Sequence, residues 1–408
     1  MSMLAKGVEG GVMAAPPSPR YGCESDRHAH SAVVLSAAPD IYQLRDWAPP
    51  FLWAHDTTCP EFFLASLSQG QWAPCVVVVS RGAAVVGVVY AKQRRIAGLS
   101  TGIVYADGSL GHMVVADPID HEDILAVALQ QLFTSAGVRG VRLVIPPNGP
   151  EQRAVTTAHT AMALDVAYTR VANHSRLLLP HSYQEFLHGL GPQTRRNFRR
   201  YRCHFEAAGH RYIEHLSADD FRQAAWSLQT QSSIPSTRRA IERSVKMMAA
   251  LNRPVAIGLR HRSGEWLSVA GGWYDAGGAT LFSQLNHDRA FPDMSLSVVL
   301  RANLIEMLIR QGLRELVFWA GTAPPLSRYA SCVPAVSVHL DVPTREWRRV
   351  RSVIARLGTW MPRRMAAEVR WIAAAGSLPE RGQPSRASFG DSAGIAPSQQ
   401  TSPKATMT

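Results

Sequence analysis

The sequence predicts an α+β protein built of two similar units in tandem, each a mostly antiparallel mixed sheet flanked by helices, with a disordered tail at each end. Three observations predict it. The periodicity runs strand, strand, strand, helix, strand between Cys75 and Pro147, and the same order returns between Val255 and Gly321. The chain has 408 residues, of which 46% are hydrophobic, enough for two domains with a sizeable core. Both ends are dominated by Ala, Gly, Pro and Ser, a composition that cannot bury enough apolar surface to fold.

Residues 1–40 are read as the first tail. In the first unit, 41–180, CVVVVSRGAAVVGVVYAKQ gives two strands joined at Arg81-Gly82, and STGIVYAD at 100–107 gives a third. HEDILAVALQQLFTSAG at 121–137 is a helix with Glu122 and Asp123 in its first turn and Gly137 as its stop. VRGVRLVIPP returns to strand. The second unit, 181–343, opens on the helix TRRNFRRYRCHFEAAG and continues through a helical region at 217–252 that Pro235 interrupts. VAIGLRHRSG alternates as a strand, WLSVAGGWYDAGG turns back as a second, and ATLFSQLNHD is a third. SLSVVLRANLIEMLIRQG is a helix whose Leu296, Val299, Leu300, Leu304, Met307 and Leu308 share one face. LRELVFWAG is a strand, and AVSVHLDV at 335–342 adds another. Residues 344–376 form closing helices carrying Arg345, Arg348, Arg349 and Arg351, and 377–408 form the second tail.

Lys and Arg number 43 against 31 Asp and Glu, a net charge of +12, which suits anionic partners without choosing among them. The five cysteines, Cys23, Cys59, Cys75, Cys203 and Cys332, form no CxxC or CxxH pair. A disulfide framework and a structural zinc site are therefore not expected, and a reducing cytoplasm is. The longest apolar runs, 75–79 and 83–91, fall well short of the roughly 20 residues a membrane span takes, so no membrane insertion is expected.

Three stretches carry candidate chemistry. In GPQTRRNFRRYRCHFEAAG (191–209), Phe198, Tyr201, Phe205 and Ala208 make an apolar face, and Arg195, Arg199 and Arg202 lie on a neighbouring one. The aromatics then belong to the core, and the arginines either decorate a solvated face or clamp a phosphate or carboxylate. In FSQLNHDRAFPDMSLSVVL (282–300), the polar strand end Gln284, Asn286, His287, Asp288 runs into a helix whose N-cap is Asp293 or Ser295. The amides from about Met294 through Leu296 to Ser297 offer an anion site, or simply an ordinary capped helix start. In VFWAGTAPPLSRYAS (317–331), a strand ends at Gly321-Thr322 and a Pro-rich loop follows, placed to line a site or merely to turn. No Walker loop and no GxGxxG after a strand is present.

Taken in order, the Arg-rich helix RRNFRRYRCHFEAAG, the helical stretch 219–252, VAGGWYDAGGATLFSQLNHD, VVLRANLIEMLIRQG and LVFWAGT resemble the CelD/BioF2-like acetyltransferase domain of the GNAT superfamily. The chain is also similar to the FemAB-type transferases that carry two GNAT-like units. The likeness covers about 180–330 in its motifs and 45–180 only in the order of elements. It implies N-acyl transfer from acetyl-CoA or another acyl-CoA to an amine of a small molecule or an envelope-polysaccharide or lipid precursor. It places the donor's pyrophosphate against Asp293, Met294, Ser295, Leu296 and Ser297. Two departures stand out. Many relatives have a glycine before that helix, where this chain has Pro292-Asp293-Met294-Ser295. They also often have a lysine in the loop after Gly321, where Ser327 and Arg328 stand here.

On this reading the amine attacks the acyl carbon directly. His287 is the first candidate base, because imidazole ordinarily titrates near neutral pH, and Asp288 is the second. Gln284 and Asn286 orient substrate, Gly321 lines its site, Arg195 and Arg199 hold an anionic group, and Tyr329 is a candidate proton donor to the leaving thiolate. Two rivals follow from the same residues. One is a FemAB-type transferase using aminoacyl-tRNA, which the net charge of +12 suits. The other is a non-catalytic binding protein on a GNAT scaffold, which the missing glycine suits.

Overall fold

The computed structural model describes residues 30–360, apart from 68–70, 97, 108–112, 136, 230–234, 288–290, 292, 320–321 and 323–324. The strands are β1 (His30–Leu35), β2 (Trp72–Arg81), β3 (Ala84–Ile96), β4 (Leu99–Asp107), β5 (Val114–Ala116), β6 (Gly140–Ile145), β7 (Asp165–Leu178), β8 (Arg211–Ile213), β9 (Pro254–Arg260), β10 (Trp266–Asp275), β11 (Gly278–Asn286), β12 (Glu315–Phe318) and β13 (Ser331–Asp341). The main helices are α1 (Ala38–Tyr42), α2 (Leu44–Trp47), α3 (Pro60–Ser66), α4 (His121–Thr134), α5 (Pro150–Met162), α6 (Tyr183–Gly189), α7 (Pro192–Ala207), α8 (Ala218–Gln229), α9 (Pro235–Ala249), α10 (Leu296–Arg310) and α11 (Arg345–Trp360).

These strands join one continuous sheet in the order β1-β2-β3-β4-β6-β13-β7-β12-β11-β10-β9-β8, with β5 on β3. The order is a palindrome. β1 to β4 correspond to β8 to β11, β6 corresponds to β12, and β13 and β7 correspond to each other at the centre. In each half an antiparallel meander leads through a crossover helix (α4 or α10) into a strand parallel to the last meander strand: β4 with β6, β11 with β12. This is the tandem arrangement of two GNAT-like units expected from the sequence. The halves interlock through an exchange. β13, the last strand of the chain, lies between β6 and β7, while β7 lies between β13 and β12.

Each half-sheet is covered on both faces, as its alternating apolar residues require. In β2, Val77 and Val79 face α4 and α5, where Ile124, Leu129 and Val155 are buried. Val76 and Val78 face Ile41, Leu44 and Leu52 of the opposite layer. In the second half, Leu281 packs under α10, α6 and α7, while Trp273 and Phe282 pack under α8 and α9. Eleven residues of α10 are buried, and α7 buries Phe198 and Phe205, two of its expected apolar positions.

A salt-bridged cluster ties the centre. Arg142 on β6 reaches Asp341 on β13 at 2.9 Å, and Arg351 on α11 reaches the other carboxylate oxygen at 3.1 Å. The Trp347 indole donates to the same carboxylate, which docks α11 on the sheet. All of these side chains are buried.

Part of the expected N-terminal tail is structured. Residues 30–35 pair antiparallel with β2, from His30↔Arg81 to Leu35↔Val76, and α1 begins at Ala38. Ala32 and Val34 pack on the first core while Val33 points outward, a short alternation that Ala-, His- and Pro-rich surroundings obscure. Residues 1–29 and 361–408, including the expected second tail and the end of the closing helices, lie outside the described residues. β7 is a further strand that the periodicity did not predict. Tyr168, Thr169 and Arg170 are exposed along it, so it lacks a continuous apolar face.

Candidate active site

The parallel pair β11–β12 opens. Its register runs for four residue pairs, Gly278↔Glu315 to Leu281↔Phe318, and then stops although β11 continues through Asn286. The cause lies one strand away. On β10, Gly271 opposes Ser283 but Gly272 opposes Leu281, so Phe282 is an extra residue, a β-bulge. A bulge bends its strand and sharpens the local twist. Here it falls one residue past the last β11–β12 pair, so β11 runs on from Phe282 to Asn286 with no β12 residue paired to it. Gly272 is required beside it, because a Cβ there would collide with the Thr280 carbonyl oxygen.

The bulge also flips side-chain parity. Ala279 and Leu281 face α10, Phe282 stacks on Trp273 on the other face, and Gln284 faces α10 again. Gln284 donates to the Ser297 hydroxyl (3.1 Å) and to the Asn286 carbonyl oxygen (3.3 Å). The buried Ser268 hydroxyl also donates to Asn286 (2.7 Å). Arg301, one turn into α10, donates its Nε to Gln284 Oε1 (3.1 Å) and one Nη to the Thr322 hydroxyl (3.0 Å). Its guanidinium lies 5.3 Å over the Phe318 ring, and burial pulls its pKa down to about 10. Arg301 therefore spans from β11 to the segment after β12. The sequence reading missed it, since a single arginine on a helix read as core gave no signal.

α10 starts beside this network. Ser295 is its N-cap in an extended conformation, its side chain makes no capping bond, and the first turn holds no acid. The amides of Leu296, Ser297 and Val298 have no acceptor within the helix, as in any first turn. Leu296 and Val298 are buried, Met294 packs on the core, and Asp293 is exposed, 3.9 Å from Arg200. Of the five residues expected at a phosphate, Ser297 is tied to β11 through Gln284, which Arg301 in turn bonds.

His287, half-buried, closes β11 by donating its amide to Leu267. Asp288 and Gly321 lie outside the described residues. A second imidazole borders the opening from β7. His174 Nδ1 lies 2.7 Å from the Trp319 carbonyl, one residue past the end of β12. A carbonyl only accepts, so Nδ1 carries the proton in this bond. No sequence signal pointed to it, because β7 belongs to the first half of the chain.

The two arginines expected to hold an anion are not drawn into this network. Arg195 is half-buried, Arg199 is exposed, and neither has a carboxylate within ion-pair distance among the described residues. Arg202 takes the structural part instead: it pairs with Glu306 on α10 and lies over the Tyr183 ring, clamping α7 to α10. Tyr329 is engaged elsewhere. Its hydroxyl accepts from the Gly191 amide (2.8 Å) at the start of α7. Bonding to Thr194 and to that amide holds the hydroxyl below its usual pKa. Burial pushes the Cys75 thiol up to about 11 and raises Cys59, so neither is set up as a nucleophile. Among the described residues no three His, Cys, Asp or Glu side chains converge as a metal site, and no helix is long and apolar enough to cross a membrane.

No family model matches the chain, and no curated protein matches it. Several solved structures are similar to the chain. The tandem GNAT protein from the clavulanic acid biosynthesis pathway (without AcCoA) is 13% identical with a TM-score of 0.42, over 76% of this chain and 98% of that one. FemX is 9% identical with a TM-score of 0.49, over 71% and 92%. The C-terminal domain of a putative lysylphosphatidylglycerol synthetase from Agrobacterium fabrum is 12% identical with a TM-score of 0.47, over 74% and 92%. Such identities and scores transfer neither residues nor activity, so the double-GNAT architecture rests on the palindromic strand order and the two crossover helices described above.

Proposed function

We propose that the protein is an N-acyltransferase that works at the β11–β12 opening of its second half, with acyl-CoA as donor and an amine as acceptor. The observation that carries this reading is the bulge at Phe282, which falls one residue past the last pair of two parallel strands, beside a helix start with an uncapped, acid-free first turn. A parted strand pair offers backbone groups to an extended arm, and a helix start offers amides to phosphates. The amine nitrogen attacks the acyl carbonyl carbon, a base takes the amine proton, and the tetrahedral intermediate expels the thiolate. Direct attack needs no covalent enzyme intermediate. Positioning and a correctly placed base supply the acceleration, the base roughly 10²–10⁴-fold. His287 and Asp288 at the end of β11 are the proposed bases. His174, whose Nδ1 is held by the Trp319 carbonyl, is the alternative. Gln284 and Asn286 orient substrate, Asp293–Ser297 receive the phosphates, and Gly321 remains a proposed substrate-binding residue.

One observation favours a second reading. Arg301, bonded to both Gln284 and Thr322, crosses the space in which a pantetheine arm would thread. A donor presented from outside, such as aminoacyl-tRNA, would leave that bridge in place. Isothermal titration with acetyl-CoA and, separately, with charged tRNA decides between them. Binding of acetyl-CoA upholds the first reading, binding of charged tRNA alone replaces it with the second, and binding of neither leaves a binding protein on this scaffold.

A further inference from the structure

Among the described residues, the arginines drawn into the interior, wholly or in part, are mostly compensated by carboxylates. Arg142 and Arg351 share Asp341, and the half-buried Arg202 has Glu306 and Glu206. Arg301 differs. It contacts only neutral groups, the Gln284 side-chain oxygen, the Thr322 hydroxyl and the Phe318 ring, and among the described residues no carboxylate pairs with it. Arg301 is half-buried, and even partial removal of a cation from water costs free energy when no counter-charge accompanies it. The half-buried guanidinium bridges Gln284 on β11 and Thr322 just past β12, with the Phe318 ring beneath it. Two of its five donors are used by Gln284 and Thr322, which fix its plane and leave the remaining N–H groups for another acceptor. A guanidinium so oriented matches the two-oxygen geometry of a carboxylate or phosphate.

We propose that Arg301 is the oxyanion-binding residue of this opening, and that the acceptor amine it selects carries a carboxylate or a phosphate. The inference rests on the acyltransferase reading for the word acceptor, but not for the binding itself. Once the ligand's oxyanion supplies the missing counter-charge, the amine of the same molecule lies at the mouth of the parted strands, beside the end of β11.

The test uses two matched pairs of amines with acetyl-CoA: glycine against glycinamide, and glucosamine 6-phosphate against glucosamine. Wild type should acylate the anionic member of one pair at least about tenfold more efficiently in kcat/KM, the first pair indicating a carboxylate and the second a phosphate. Arg301→Met should bring that ratio to about one, and Arg301→Lys, which keeps the charge but not the fork, should keep part of it. A ratio near one for both pairs in wild type, or an unchanged ratio in Arg301→Met, overturns the inference. Calorimetry with the same four compounds and no donor separates the two readings. If nothing turns over but an anionic member binds and Arg301→Met abolishes that binding, the Arg301 site stands and the acyl-CoA reading falls. If neither turnover nor binding is seen, Arg301 is not an oxyanion site. Thermal melts add a readout that a structural role would reverse: removing an uncompensated charge should leave Arg301→Met as stable as wild type or more so, whereas a marked loss of Tm would make Arg301 a packing residue. Arg301→Lys carries the comparison if Arg301→Met does not fold.

Discussion

The starts of α4 and α10 occupy equivalent places in the two halves, yet only one adjoins an opening. In the first half β4 and β6 stay paired from Ile103↔Gly140 to Asp107↔Val144, the last residue of β4. The register shift of β4 against β3 falls earlier, around Gly102, before that pairing begins. The pair therefore has no reason to part. The first turn of α4 also carries Glu122 and Asp123, which repel an anion, and its N-cap Asp120 is held by Arg81. In the second half the bulge comes after the last pair, and α10 begins without acids. One fold used twice thus gives a closed half and an open half. The difference lies in where one extra residue is inserted and in the charge of one helical turn.

Making α10 resemble α4 is the strongest way to break that contrast. Ser297→Glu places a carboxylate in the first turn of α10 and removes the hydroxyl that receives Gln284. Donor affinity measured by titration should fall at least about 100-fold, because a helix start that attracts phosphate becomes one that repels it. The converse change, Glu122→Gln with Asp123→Asn, should create no second donor site, since β4 and β6 remain paired. Appearance of such a site would show that charge alone, and not strand separation, distinguishes the halves.

Next in size is the base. His287→Ala should cut turnover at least about tenfold while far-ultraviolet circular dichroism and Tm stay near wild type. Normal turnover would remove His287 from the mechanism and move the role to His174, for which His174→Gln is the matching test.

How much of this was legible in the sequence follows from where each signal resides. The meander strands, α4, α7 and α10 showed themselves because their apolar periodicity is local: Val76 to Val79 alternate between two cores, and Phe198 and Phe205 recur at helical spacing. β1 and β7 did not, since one is short and the other half exposed, and their identity as strands comes from partners far along the chain. The exchange of β7 and β13 has no local signature at all. The stretch FSQLNHDRAFPDMSLSVVL reads as polar strand end plus helix start, and β11 and α10 fall there. The bulge that opens it was hidden in a register mismatch with Gly271-Gly272, and Arg301 was hidden within a run of core residues.

The interlocked centre offers a third test, of a feature the two halves share rather than one that separates them. His339 on β13 is buried beside Ser337, near Arg142 and Arg351 with their common partner Asp341. Burial first, then the two guanidinium charges, pull its pKa from 6.5 to about 3. The unfolded imidazole binds a proton below pH 6.5 while the folded one does not until about pH 3. The unfolded state thus holds more protons in that window, and stability is full above pH 6.5 and declines as the pH falls toward 3. The decline due to this group should approach about 1.4 kcal/mol per pH unit. Denaturant melts of wild type and His339→Gln at pH 7.5, 6.0 and 5.0 measure it. The variant should lose part of the slope, and identical slopes would mean that the imidazole is protonated or solvated in the folded protein.

The smallest expected effect concerns the basic face of α7. Arg199 is exposed, with no ion-pair partner among the described residues, while Arg202 on the same helix binds Glu306 and Glu206. If the open half takes its anion at α10 and Arg301, Arg199→Ala should change stability by less than about 0.5 kcal/mol and leave kcat/KM for a small amine within about twofold. Arg202→Ala should instead loosen α7 from α10 by about 1 kcal/mol or more, as loss of a part-buried charged pair does. The result with a macromolecular donor is where Arg199 becomes informative. Charged tRNA carries a line of phosphates, and each lost contact lowers the salt dependence of binding by a nearly fixed increment. An Arg199→Ala variant that binds acetyl-CoA normally, but binds charged tRNA with a shallower salt slope, would extend the open half from a cleft to a surface running along α7, and would make the second donor the correct one.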